Sequence, residues 1–255
     1  MQKSQIYYHR SHRKISCSWE KFISDFLLFI PPCWFLILFF YPLITRLTSQ
    51  YLIDRYASLY PASTPILVKK AFMLGSIITP EIPGRYPSPQ FTFVVFLFTL
   101  LFLFIAAKIP VPKPVAYWMI FVCLVNLVSV LFFTFFAPVF PYTIRHFSEL
   151  FIKTEISIWL FVPVIMVASL SALPSSKRSK FVAILSTLIY AVAFGTVRYV
   201  LFVSILVRFS YIFMAVLFFC FGPFIDFITV VGTYSFYVSC VSRKINQDMR
   251  VWNWS

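Results

Sequence analysis

The sequence predicts an all-α protein, a polytopic helical membrane protein of about six transmembrane helices with kinked first and last spans and one or two interfacial helices. Three observations predict it. Of the 255 residues, 60% are hydrophobic and 12% charged, with a mean hydropathy of +0.87; a soluble globule carries about 25% charged residues, so this chain has too little polar surface to face water. Six apolar tracts approach or exceed the roughly 20 residues that a helix needs to cross a hydrocarbon core. The 33 Phe residues are spread over every one of those tracts, as lipid-facing and interhelical surface would be, rather than gathered into one aromatic box.

The spans are expected at about 22–45, 91–107, 115–140, 156–173, 181–207 and 209–241, a single transmembrane domain occupying 22–242 between basic tails at 1–21 and 243–255. Pro31, Pro32 and Pro42 predict a kink in the first span, because each removes a backbone donor and crowds the preceding turn. The second is almost purely Phe, Leu and Val, and the fourth carries Pro163 near its start. The sixth is longer than one ordinary span and breaks at Gly222-Pro223; the stretch from Phe181 to Val241 could instead fold as three tight spans, so counts of seven or eight stand beside six.

Charge decides between these counts, since Lys and Arg in short loops stay cytoplasmic. With six spans, Lys3, Arg10, Arg13, Lys14, Lys21, Lys108, Lys113, Lys177, Arg178, Lys180, Arg243, Lys244 and Arg250 share one side, offset by Glu20 and Asp248. The other side holds Arg46, Arg55, Lys69, Lys70, Arg85, Arg145, Lys153 and Arg208, offset by Asp54, Glu81, Glu149 and Glu155. Six spans with both termini cytoplasmic follow, and the pattern suits a bacterial inner membrane and an endoplasmic reticulum equally. The first span reads as a retained anchor rather than a cleaved signal peptide: its basic flank is too long and no small-x-small site follows it. The net charge of +14 forms no basic face and no nucleic-acid motif, so anionic lipid headgroups are its expected partner and nucleic acid is not.

Between the first two spans, residues 46–90 form an external loop. RLTSQYLIDRYASLY sets Leu47, Tyr51, Asp54, Arg55 and Leu59 in a helical pattern suited to the interface. AFMLGSIIT is apolar but too short to cross, and reads as a re-entrant or surface-lying piece that must rest on protein. PEIPGRYPSP, with Pro80, Pro83, Pro87 and Pro89, predicts an ordered loop without regular structure. Together they form a packing cap for the bundle or a lid over a site. The second external segment, PYTIRHFSELFIKTE, repeats apolar residues at helical spacing and predicts an amphipathic interfacial helix. His146 and Glu149, three apart on it, are a weak acid-base candidate; one His and one carboxylate fall short of the three or four ligands zinc takes.

Arg198 is the most informative residue. It lies in the tract Phe181–Val207, and a cation at a helix centre costs roughly 2.5 to 3.5 kcal/mol on insertion scales, so it calls for a partner. At 1.5 Å per residue it sits roughly 24 Å from the cytoplasmic start of its helix, toward the outer leaflet. Its head reaches outward to lipid phosphate, or pairs with Glu155 or with Asp226 beyond the helix break. Cys17, Cys33, Cys123, Cys220 and Cys240 show no CxxC spacing and read as small hydrophobes. No Walker A loop, Rossmann glycine pattern, HExxH or GxSxG is present, which excludes the soluble-enzyme classes those motifs carry. No cofactor and no metal is expected.

The run from Glu155 to Phe202 resembles the layout of exosortases and archaeosortases, multi-pass membrane transpeptidases in which a Cys near the start of one span is followed by a basic loop and an Arg in the next. The resemblance sets Arg198 at the family's Arg. Where Cys-Ser-Gly would stand the chain reads Ile-Ser-Ile-Trp (Ile156 to Trp159), and no His follows Arg198. The resemblance thus implies a divergent relative lacking the catalytic Cys.

Three functions stay open at this level. The foremost is a non-enzymatic subunit or scaffold of a larger membrane complex, with other membrane proteins as partners. A transporter or channel component would use Arg198 and Asp226. An intramembrane enzyme acting on a lipid-linked or membrane substrate would draw on His146, Glu149, Glu155, Arg198 and Arg208.

Overall fold

The structure is a computed structural model that describes residues 13–15, 19–57, 66–173, 175–245 and 252–254. Lys3, Arg10, Cys17, Leu59, Asp248 and Arg250 lie outside the described residues. The elements run β1 (Arg13–Ile15), α1 (Trp19–Tyr56), β2 (Ile66–Phe72), β3 (Gly75–Glu81), α2 (Pro89–Lys108), α3 (Lys113–Phe136), α4 (Ile144–Ser171), α5 (Lys177–Arg208), α6 (Met214–Phe221), α7 (Pro223–Ile245) and β4 (Trp252–Trp254). The described residues are mainly helical and make this an all-α polytopic membrane protein; among them are six helical stretches long and apolar enough to cross a bilayer, the last made of α6 and α7 together.

The helices outrun the expected spans. The expected 22–45 lies inside α1, which continues unbroken through Pro31, Pro32 and Pro42 to Tyr56, so the amphipathic run after Arg46 is the extension of that helix. Likewise the segment around His146 and Glu149 is the first part of α4, continuous with the apolar part that holds Pro163. Nothing in either sequence stops the helix: polar residues replace apolar ones without a Gly-Pro break, and only the solvent changes. The last stretch does break, at Gly222, where φ is −81° and ψ −119°.

The larger departure is AFMLGSIIT. Expected as a re-entrant or surface-lying piece without assigned structure, it is the end of β2, the turn and most of β3 of an antiparallel hairpin, with Phe72 paired to Gly75 and Ile66 to Glu81. Pairing satisfies the backbone groups that a short apolar piece cannot leave bare. Two adjacent lysines on β2 and the proline at Pro80 hid the strand periodicity from the sequence.

The chain divides into two compact units. One comprises Ile37–Ile158 and Ala191–Phe227; the other takes the residues up to Leu36, Trp159–Tyr190 and those from Ile228 onward. In the first, the hairpin packs on α1: the Tyr41 hydroxyl donates to Phe72 O, Ser49 donates to Ile78 O at 2.7 Å, and Ile77, Thr79 and Ile82 are buried. The proline-rich loop after it is held by Tyr211, whose hydroxyl accepts from Gly84 N and whose amide donates to Arg85 O. Ser88 then caps α2 by accepting from Phe91 N, with Pro89 at the first helical position. Helices α2 and α3 form an antiparallel pair in which Asn126 donates to Thr99 Oγ1 at 2.7 Å. Trp118 of α3 packs against Phe221 and Phe224.

The second unit is centred on another buried ion pair. Lys180 Nζ lies 2.8 Å from Asp25 Oδ2 and also donates to Ser171 O at 3.3 Å. Trp34 Nε1 donates to Leu160 O, and Phe29 stacks on Phe181. The Tyr237 hydroxyl bonds Ser175 and Ser179, and beside it a cleft of about 500 Å³ opens between α5 and α7 with Arg178 and Cys240 at its wall. Within this unit β1 pairs antiparallel with β4.

Candidate functional site

The strongest concentration of buried charge is at Arg198. The ring centroids of Phe151 of α4 and Phe194 of α5 lie 5.8 and 5.4 Å from its guanidinium carbon. Ring faces carry negative charge, so both contacts favour the cation. The Nη2 atom donates to both Glu155 of α4 and Asp226 of α7, and Nη1 donates to the carbonyl of Gly222 at 3.1 Å. All three charged residues are buried.

The helix break explains why the cation sits there. At Gly222 the ladder of α6 ends, and the carboxyl end of a helix carries a partial negative charge; the Gly222 carbonyl there accepts from Ile225 N as well. The Arg198 guanidinium meets that end. Two residues beyond Phe224, in the first turn of α7, Asp226 sits where a helix start favours an acid. Thus both faces of the break are complemented by one salt-bridged pair. Two atoms remain open: Glu155 Oε2 and Arg198 Nε are buried with no hydrogen-bond partner among the described residues.

The other residues singled out from sequence stand elsewhere. His146 bonds the Thr143 side chain across 2.9 Å and is exposed. Glu149 is bridged by Lys153 of its own helix and Lys70 of the hairpin, both at 2.5 Å. That pairing holds the Glu149 carboxyl as an ion-pair partner rather than a base for His146; among the described residues no hydrogen bond or ion pair joins the two. Arg208 ends α5 and is exposed. Among the described residues no three His, Cys, Asp or Glu side chains group as metal ligands.

Sequence reasoning missed three parts of this picture. The Gly222 carbonyl and the flanking rings belong to the Arg198 site, and an Arg spaced to meet a Gly-Pro break was the available signal for the carbonyl. Asp25 went unread, although it is the lone acid in the apolar part of the first span. Lys180, assigned to a cytoplasmic loop, is instead in the first turn of α5 and buried on Asp25.

The fold and this internal charge network define a multi-pass helical membrane protein. Compared with protein-family models, with curated proteins and with solved structures, the chain matches none.

Proposed function

We propose that the chain is a non-enzymatic subunit or assembly component of a larger membrane complex, with both termini on the cytoplasmic side and other membrane proteins as partners. One observation carries this reading: both terminal nitrogens of the Arg198 guanidinium are bonded by the chain's own groups, and the rings of Phe151 and Phe194 lie beside it. Its buried charge serves to lock α4, α5 and the α6–α7 break together. What the molecule then offers its surroundings is surface. Only 22% of the most apolar stretch of α2, and the same share of α3, is buried within the chain, against 50% for α4, and Phe98, Phe102 and Phe135 lie exposed on that pair.

The test is purification from the native membrane in mild detergent, with quantitative mass spectrometry of co-purifying chains. A stoichiometric partner present with wild type and lost with Phe98→Ala/Phe135→Ala, while the variant keeps its thermal stability, supports the reading. A solitary, stable protein from wild-type membranes sinks it.

A second reading, transport or conduction, is favoured by a different observation. The unpartnered Glu155 Oε2 and Arg198 Nε lie beside a broken helix, and broken helices with buried charges recur at translocation sites. Ion or proton flux into proteoliposomes, abolished by Glu155→Gln, would favour it. The enzymatic reading gains nothing from the geometry, because among the described residues no hydrogen bond or ion pair joins His146, Glu149 or Arg208 to Glu155 or Arg198.

A further inference from the structure

We infer that the tip of the β2–β3 hairpin, Phe72 to Leu74, inserts among the acyl chains of the leaflet at the carboxyl end of α1, so that the hairpin is a second membrane-embedded anchor beside the helices. The inference is independent of the subunit reading. It begins with depth. Arg46 is exposed on α1 and ends its apolar tract, so it marks the polar boundary on that helix. The hairpin descends along α1 from there: Ile78 meets Ser49 and Thr45, whereas Phe72 and Gly75 at the tip meet Tyr41. Tyr41 is five residues further into the apolar tract than Arg46, about 7 Å at 1.5 Å per residue. The tip therefore lies below the headgroup level.

Its chemistry fits that depth. Ala71, Phe72, Met73, Leu74 and Gly75 carry no polar side chain, and the two turn residues are strongly exposed, Met73 at 53% and Leu74 at 85%. Water would meet these side chains if the tip stood free. Just before the tip the character changes: Lys69 is exposed and Lys70 pairs with Glu149, while Lys153 Nζ lies 5.9 Å from the Phe72 ring. Ammonium groups next to an apolar tip match the order of headgroup phosphate over acyl chain, with long lysine stems reaching to the interface.

Backbone geometry adds an independent mark. The two-residue turn has φ of +50° at Met73 and at no other described non-glycine residue. A turn with positive φ at its first central position prefers glycine there. This chain instead carries a large apolar side chain in the left-handed region, where its Cβ crowds the backbone. Strain held at an exposed apolar tip is accounted for by a use for that side chain outside the chain, and lipid at this depth supplies it.

The experiment places a nitroxide label at Leu74→Cys or Met73→Cys, and at Lys69→Cys as reference, in the otherwise full-length protein with Cys17 and Cys240 replaced by Ser. Each is reconstituted in phosphatidylcholine–phosphatidylglycerol liposomes. Collision with dissolved oxygen reports acyl chains, and collision with a water-soluble nickel chelate reports water. The expected result is an oxygen-to-nickel ratio several-fold higher at both tip positions than at Lys69. Tip labels that favour nickel as Lys69 does would overturn the inference, and so would labels shielded from both agents, which would mean a protein cover. Because tip side chains lie outside the packed core, unfolding is checked separately by the melting curve of each labelled variant.

Discussion

Arg198 donates through Nη1 to the carbonyl of Gly222 at 3.1 Å, so a cation on α5 completes the place where the last apolar stretch breaks. The break in turn depends on Gly222 having no side chain. A Cβ there would stand 2.2 Å from Phe218 O, a backbone atom fixed by the Gly222 N–H bond to the same oxygen. Gly222→Ala should therefore lower stability by about 2 kcal/mol or more, in the range of backbone-strain mutations. Gly232→Ala is the matched control, because a Cβ there meets nothing within 4 Å; in mid-helix it should gain about 0.5 to 1 kcal/mol. Thermal unfolding of both in one detergent reads the difference, and equal melting points would contradict it.

Removing Arg198 leaves two acids buried without their cation. Breaking a buried pair typically costs about 3 to 5 kcal/mol, whereas replacing the whole set with uncharged groups is often tolerated. Arg198→Ala should then be the least stable variant. Arg198→Met combined with Glu155→Gln and Asp226→Asn should recover most of the loss. Denaturant titration of the purified proteins, ranked by midpoint, checks the order; a triple variant weaker than the single one would refute it.

In the other unit Lys180 and Asp25 form an isolated pair at 2.8 Å with Ser171 O as a third partner. Each single change, Asp25→Asn or Lys180→Met, leaves the other group buried, so the two losses should not add. A double-mutant cycle on thermal stability should give a coupling of about 1 to 3 kcal/mol. A coupling near zero would mean that the two side chains are not paired in the membrane.

The class and the helices were legible in the sequence because bilayer thickness imposes a length that composition alone reveals. Arg198 was legible too, since a lone cation in an apolar tract stands out, and Glu155 and Asp226 were the acids within reach. Its third partner was not, because a backbone carbonyl has no letter: the Gly222 carbonyl accepts from Arg198 as well as from Ile225 N. Asp25 escaped for a different reason: near a helix end an acid reads as a flanking residue until its partner Lys180 is seen to be inside α5. The hairpin was hidden because Lys69 and Lys70 interrupt alternation on β2 while Pro80 sits in β3, so neither strand carries a clean period of two.

Glu149 offers a contrast with these buried pairs. Lys70 is about half exposed where it meets Glu149, so water and salt weaken the bond, and such pairs contribute about 0 to 1 kcal/mol. Lys70→Ala should scarcely move the melting point. It should instead speed proteolytic cleavage in the hairpin, and added salt should speed cleavage of the wild type toward the same rate. A melting shift comparable to that of Arg198→Ala would show the hairpin to be held mainly by this ion bridge.

The hairpin is held instead by its contacts with α1, among them Gly75 and the Phe72 carbonyl against Tyr41. A Cβ on Gly75 would come within 2.6 Å of the Tyr41 hydroxyl oxygen, and that hydroxyl donates to Phe72 O. Gly75→Ala must therefore push the ring aside and break the bond, leaving a buried hydroxyl unpaired at a cost of about 1 to 3 kcal/mol. Tyr41→Phe removes both the bond and the obstructing oxygen. In the Tyr41→Phe background, Gly75→Ala should cost clearly less than it does alone, a non-additivity expected only of residues in contact. Melting curves of the four proteins supply the cycle, and strictly additive shifts would show that the hairpin tip does not rest on Tyr41.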